Sequence, residues 1–399
     1  MKFVTDSVAR CAARIGTLSG FERLPNVSFE TPLLLIYTKG GSVPHLTKDI
    51  FKTLTMEEQL LSVSLPSTIL MTDAIKELDT SFADFVSMKE YINFLSIHDS
   101  AYTTNSGFHQ LDTISVWSRT GRIVVSANKY MEIVQAYKPD LYVALCDGDT
   151  NINSRAKRIS KAVLRSKTLL EQCLDIHLQS DILKSTGILG PVEGGYNLQA
   201  RKESIDYLKD KPLAGFVIDG LHNNGPDVQN ISLEQIKQVV QYTINLLPID
   251  KMRISMGCWN PATVLDLIEL GVDVFDSSYP YVITEQSQAL TFLCDHDCEN
   301  NQHVLSIAEK RYADDFSPIC KKCKCLACQN HTRAYIHHLH HTKEMLALVL
   351  LMIHNTHHYL QFFNLIRDSI KNGTFNQLQT KIRLKYEAVN SESAKFITV

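Results

Sequence analysis

Short apolar runs alternate with helical periodicities along most of this chain. The runs LLLIYT (33–38), LYVALCD (141–147), ILGPVEG (188–194), GFVIDGL (215–221), RISMGCW (253–259) and VDVFDSS (272–278) are apolar on both faces, the pattern of parallel strands covered on both sides. TISVW (113–117) and RIVVSA (122–127) flank a turn that contains glycine and predict a hairpin. Between the runs, 156–179, 231–247 and 260–271 carry the 3.6-residue spacing of amphipathic helices. The last of these opens with Asn260 as N-cap and Pro261 in the first turn. Strand and helix alternate over roughly 290 residues, which predicts an α/β fold, a (β/α)8 barrel. A doubly wound sheet is the alternative, but no glycine-rich phosphate fingerprint follows the first strand.

A barrel gathers its functional side chains at the C-terminal ends of its strands. Asp147, Glu193 with Gly194 and Gly195, Gly220 with Leu221, Met256 with Gly257, and Asp276 all fall there. Each alone is ordinary turn chemistry, but carboxylates at several strand ends together point to a pocket, past or present.

Composition adds limits. With 399 residues, 44% hydrophobic and 21% charged, the chain can bury a large core. A net charge of −3 supplies no field that would recruit nucleic acid unaided. Lys321, Lys322, Lys324 and Arg333 form one basic island, suited either to a phosphate backbone or to balancing nearby thiolates. The apolar run at 345–353 falls far short of the ~20 residues that span a membrane. The N-terminus has no apolar signal core and Asp6 argues against a presequence, so a cytoplasmic protein is expected.

The densest chemistry lies near the C-terminus, where Cys323, Cys325 and Cys328 crowd together and His354 follows one helical stretch later. Three thiolates and an imidazole suit a closed tetrahedral Zn²⁺ site, which leaves no position for a catalytic water. Cys320 is a rival fourth ligand, although four such closely spaced thiols strain to wrap one ion. Buried or redox-active thiols fit a run this dense poorly. Cys11, Cys146, Cys173, Cys258, Cys294 and Cys298 suggest no disulfide framework, and a reducing compartment follows. Cys294, His296 and Cys298 lack a fourth partner for a second metal and read as loop residues.

Several of these segments together resemble the tRNA-guanine transglycosylases, barrel enzymes with a zinc subdomain that exchange a guanine base in tRNA for a 7-deazaguanine. The likeness runs through ARIGTLS, TPLLLIYTKGGSVPHLT, ILGPVEGGYNLQARKES, ISMGCWNPATVLDLIELGVDVFDSSYP and the thiol cluster with HTRAYIHHL, and covers most of the chain. It implies Cys323, Cys325, Cys328 and His354 as ligands of one structural Zn²⁺ per subunit. The zinc-binding subdomain would be inserted near the last strand–helix unit, giving a barrel at 1–290, the zinc subdomain and closing helix at 291–371, and a C-terminal tail at 372–399.

The resemblance breaks where the family does its chemistry. Asp276 matches the family's nucleophilic aspartate, which could form a covalent ribosyl intermediate. The acid/base aspartate normally opens DSGGFQ. Here Asp99 keeps Asp-Ser without the glycines, and Asn105 in NSGFHQ has no proton to relay. The arginine-bearing loop that follows the nucleophile is replaced by YVITEQSQAL, which has no arginine to meet a tRNA backbone. Glu193 stands where the family usually has glutamine, and Asp219 where it usually has a small residue.

These departures resemble the non-catalytic eukaryotic branch of the family. That likeness implies no catalytic residue, Asp276 being vestigial. It also implies a heterodimer with a catalytic queuine tRNA-ribosyltransferase subunit, a tRNA shared with that partner, queuine insertion at the wobble position (34) of tRNAs with GUN anticodons, and peripheral association with the mitochondrial outer membrane. Tyr335, Leu339, Leu346, Leu350 and Phe362, around the helix of His354, would lie at the dimer interface. A self-sufficient enzyme using Asp276 with Asp99 or Asp147, and a zinc-dependent scaffold or RNA-binding protein, are the alternatives.

Overall fold

Residues 1–9, 11–294 and 302–396 are described by a computed structural model, with side chains through Tyr386. Eight parallel strands close a barrel: β1 Leu33–Thr38, β2 Leu60–Ser64, β3 Ile92–Ser96, β4 Leu141–Val143, β5 Gly187–Val192, β6 Gly215–Ile218, β7 Met252–Ser255 and β8 Val274–Asp276. Val274 pairs with Leu33, and this register joins the last strand to the first. Every residue of these strands is buried, as their two-sided apolar patterns require.

Two strands, β2 (LLSVS) and β3 (INFLS), were not among the expected runs. Their cores are interrupted by Ser62 and Asn93, which mute the apolar signal. Conversely, LYVALCD and VDVFDSS contribute only three paired residues each. Ala144 to Asp147 are buried too, but as loop at the barrel mouth, and burial alone does not distinguish strand from buried loop. The hairpin forms as expected, Thr113–Ser118 against Gly121–Ser126, and stands outside the barrel. A three-stranded antiparallel sheet of Lys2–Val8, Arg14–Ser19 and Phe29–Thr31 was not anticipated. It is anchored to the N-terminal foot of β8, where Arg14 meets Asp273.

The outer layer comprises α1 Ala127–Tyr137, α2 Ala156–Gln179, α3 Leu198–Leu208, α4 Leu233–Leu246, α5 Pro261–Leu270 and α6 Ser278–Glu285. Helix α2 buries Ile159, Ala162, Val163, Ser166, Leu169, Leu170 and Cys173, one stripe at three- and four-residue spacing. Asn260 caps α5 by accepting from the Thr263 N–H at 2.9 Å, and Pro261 takes the first turn.

After α6 the chain leaves the barrel, forms α7 Leu326–Asn330 and α8 Arg333–His341, and returns as α9 Leu346–Lys371. Helix α9 packs on α6 and against the barrel, with Phe363 against Phe275 of β8. The residues after Lys371, expected as a tail, instead continue as α10 Phe375–Phe396. It docks on α5 through buried Phe375 and Ile382, and Gln379 donates to Asp266 and Glu269 at 2.9 and 2.8 Å.

Candidate metal centre and barrel mouth

Helix α9 is buried around most of its circumference, and this explains how one histidine on it can be aimed with precision. His354 Nε2 donates to the Leu290 carbonyl at 2.8 Å, so its other nitrogen, Nδ1, is left as a lone pair. That atom faces Cys328, Cys325 and Cys323 Sγ at 3.2, 3.6 and 3.8 Å. A tetrahedral ion with metal–sulfur bonds of about 2.3 Å and metal–nitrogen bonds of about 2.0 Å sets sulfur–nitrogen separations of roughly 3.5 Å. The four atoms therefore fit around one metal ion, and all four side chains are buried or half-buried.

The electrostatics ask for a cation there. Burial works against a charged imidazole, yet the neighbouring Cys323 and Cys325 sulfurs outweigh it and push His354 up to about 10. The Cys325 and Cys328 groups in turn hold the Cys323 thiol well below its usual range.

The next residue completes the arrangement, and sequence reasoning did not single it out. Asn355 Oδ1 accepts from the Leu290 N–H at 2.8 Å, while its Nδ2 donates to Thr284 Oγ1 and the Gln288 carbonyl at 2.9 Å each. His354 and Asn355 thus grip both polar groups of Leu290 and fix the centre to the end of the barrel. Nothing in the sequence around Asn355 carries that signal, because its partners lie some 65 residues away.

Cys320 is not part of the four. Its sulfur is bonded to Cys294, with the two Cα atoms 6.2 Å apart. This corrects the expectation of no disulfide, and with it the argument for a reducing compartment. The strand pair Gln288–Leu290 and Val304–Ser306 draws the two distant segments together, which spacing along the chain does not reveal. His296 and Cys298 lie outside the described residues. In the basic island, Arg333 is committed to Asp315 at 3.0 Å and to the Ile319 carbonyl at 3.0 Å. That leaves it a structural role rather than a phosphate contact.

At the barrel mouth the structure brings Asp276 and Asp99 close enough to repel each other. Both are buried, and burial raises both above the usual carboxylate range. Asp276 accepts from the Gly257 and Ser278 N–H groups at 2.7 Å each. Asp99 accepts from Tyr37 Oη at 2.8 Å, Ser64 Oγ at 2.9 Å and the Ala101 N–H at 3.1 Å. Asn105, the other residue matched to the DSGGFQ position, is exposed on a loop. Over Asp99, Tyr37 stacks on Tyr281 with centroids 5.1 Å apart, and Tyr281 meets the Tyr102 hydroxyl at 2.7 Å.

Asp147 has a different role. Burial pushes its carboxyl up, but the hydrogen bonds and charge of Arg158, with His109 and Arg165, outweigh that and hold it below the usual range. An acid with a depressed folded pKa contributes stability that is complete above its unfolded value and is lost as pH falls through the folded one. Arg158→Ala, which leaves Arg165 in place, is expected to lower stability by about 1–2 kcal/mol at pH 7. Urea unfolding should show the gap to wild type closing as pH drops below 4, whereas a gap independent of pH would mean that Arg158 acts by packing alone.

Glu193 at the end of β5 accepts from the Gly148 N–H at 2.8 Å through one oxygen, and its other oxygen is buried without a partner. Burial, then Asp219 and Asp147, push it up to about 8. Buried Arg201 lies beside it but donates to the Gly195, Val192 and Asp219 carbonyls at 2.8, 2.6 and 2.6 Å.

Comparison with known proteins agrees with this architecture. The family model described as queuine tRNA-ribosyltransferase matches residues 9–388. The queuine tRNA-ribosyltransferase accessory subunit 2 of Culex quinquefasciatus is 41% identical over 386 residues, covering 95% of this chain and 90% of that protein. The protein of the same name from Aedes aegypti is 39% identical over 383 residues (95% and 91%), and that from Drosophila melanogaster 37% over 391 (96% and 92%).

Proposed function

This chain belongs to the queuine tRNA-ribosyltransferase family, and on that premise we propose that it is the accessory, non-catalytic subunit of a two-subunit base-exchange enzyme. The observation that carries the reading is the likeness, along nearly the whole chain, to proteins named as accessory subunits. The mouth supports it. Asp147 is held ionised by arginines and has no proton to give, and Asp99 is closed over by Tyr37 and Ser64. From Ser277 to His303 the sequence has neither arginine nor lysine to hold a tRNA backbone at this mouth.

In this reading the partner is the catalytic subunit, the two share one tRNA, and queuine replaces guanine at the wobble position of GUN anticodons. The ion at Cys323, Cys325, Cys328 and His354 is Zn²⁺, one per subunit at this centre, and structural, since the protein fills all four positions. We divide the chain into barrel (1–290), zinc lobe with closing helix (291–371) and terminal segment (372–399). The lobe forms the dimer interface. Of the residues expected there, Leu339, Leu350 and Phe362 face inward, while Tyr335 and Leu346 are exposed, joined on the lobe by exposed Phe316 and Met345. Among the described residues no helix is long and apolar enough to cross a membrane. A cytoplasmic location rests on the reading of the N-terminus, and a peripheral seat on the mitochondrial outer membrane rests on the family resemblance alone.

Asp276→Ala tests the non-catalytic role directly. Base exchange by the reconstituted pair should stay within about twofold of wild type, because losing a true nucleophile costs orders of magnitude. A drop of a hundredfold or more, with the pair still assembled, would make Asp276 a working nucleophile.

A further inference from the structure

We propose a second metal site at the barrel mouth, formed by Cys146, Glu193 and Asp219, that takes a divalent ion of the zinc class. Cys146 Sγ, a Glu193 carboxylate oxygen and an Asp219 carboxylate oxygen lie within 4.8 Å of one another. Cys146 and Glu193 are buried, and one Glu193 oxygen is buried without any partner, so the cluster holds a polar atom that the chain itself does not satisfy.

The donor set names the ion. A thiolate and two carboxylates, with water as a fourth ligand, suit a borderline-soft ion of the zinc class, whereas magnesium and calcium want oxygen alone. Binding forms a metal–sulfur bond and metal–oxygen bonds, and releases to water both the proton that the Cys146 thiol now donates toward Asp219 at 3.5 Å and the proton that Glu193 carries. Asp219 is partly exposed, which gives an ion a way in from the mouth. The neighbouring group of His109, Asp147 and Asp149 is different, since Arg158 and Arg165 already neutralise Asp147 and Arg158 reaches Asp149 at 3.3 Å.

The test is metal content of the full-length chain after dialysis against Zn²⁺, counted by mass spectrometry. Wild type should carry two ions per chain, and Glu193→Gln and Cys146→Ser should each carry one while keeping wild-type circular dichroism. Should either variant misfold, Asp219→Asn, whose side chain is partly exposed, is read in its place. Cobalt substitution adds a signature, since the thiolate-to-metal band from the mouth should vanish in Cys146→Ser and persist in Cys325→Ala. One ion in wild type would overturn the proposal. So would two ions retained in the variants, which would place the second elsewhere, for instance on the histidines of α8.

Discussion

Cys325→Ala is expected to strip the metal from the lobe and unfold the segment that carries α7 and α8. Cys325 is buried, caps α7 by accepting from the Cys328 N–H, and offers one of the four atoms that could hold the ion. A structural zinc ion contributes on the order of 10 kcal/mol in small domains, as much as the whole stability of many proteins. The lobe's other ties include the Cys294–Cys320 link and the Arg333–Asp315 pair, and a partly exposed ion pair contributes only about 1 kcal/mol or less. The barrel should remain folded, because α9 also packs on α6 and β8 through apolar contacts that need no metal. Size-exclusion chromatography with the catalytic subunit should therefore show loss of the complex, and limited proteolysis should cut within 302–345. A variant that lacks the lobe's metal yet co-elutes with its partner would separate the metal from the interface.

The second large effect is expected at the opposite end of the barrel. Arg14 and Asp273 form a bidentate pair, Nε to Oδ1 and Nη2 to Oδ2 at 2.6 Å each, and both are almost fully buried. Arg14 also donates to the Lys251 carbonyl at 2.7 Å, and Asp273 accepts from the Arg253 N–H at 2.7 Å. Removing one partner leaves the other charge in a medium that solvates it poorly, so Arg14→Ala should cost about 3–5 kcal/mol. Replacing both residues together with apolar ones of similar size should cost far less, because no orphaned charge remains. Urea denaturation of the single and double variants distinguishes these cases, and equal losses in both would mean that the pair itself is strongly stabilising.

The residues that announced themselves in the sequence were those whose chemistry is local. Three thiols in six positions could hardly mean anything but a metal or redox site, and Asn260-Pro261 marked a helix start within two residues. The barrel was legible from two-sided apolar runs even though β2 and β3 escaped notice, because six strands at the right spacing imply the rest. What the sequence hid depends on contacts across long separations. The Cys294–Cys320 bond, the Asn355 clamp on Leu290 and the Arg14–Asp273 anchor each join segments that only the closed barrel brings together. The inward turn of Leu350 and Phe362 has a local cause, since a helix buried on most of its faces, as α9 is, has no polar stripe to mark the outside.

The division of labour itself is tested by base exchange with labelled guanine or queuine on a tRNA with a GUN anticodon, using the purified chain alone and mixed one to one with a catalytic family member. The chain alone should incorporate no label, and the mixture should be active. Sustained turnover by the chain alone would contradict the non-catalytic role and return Asp276 and Asp99 to service as a catalytic pair.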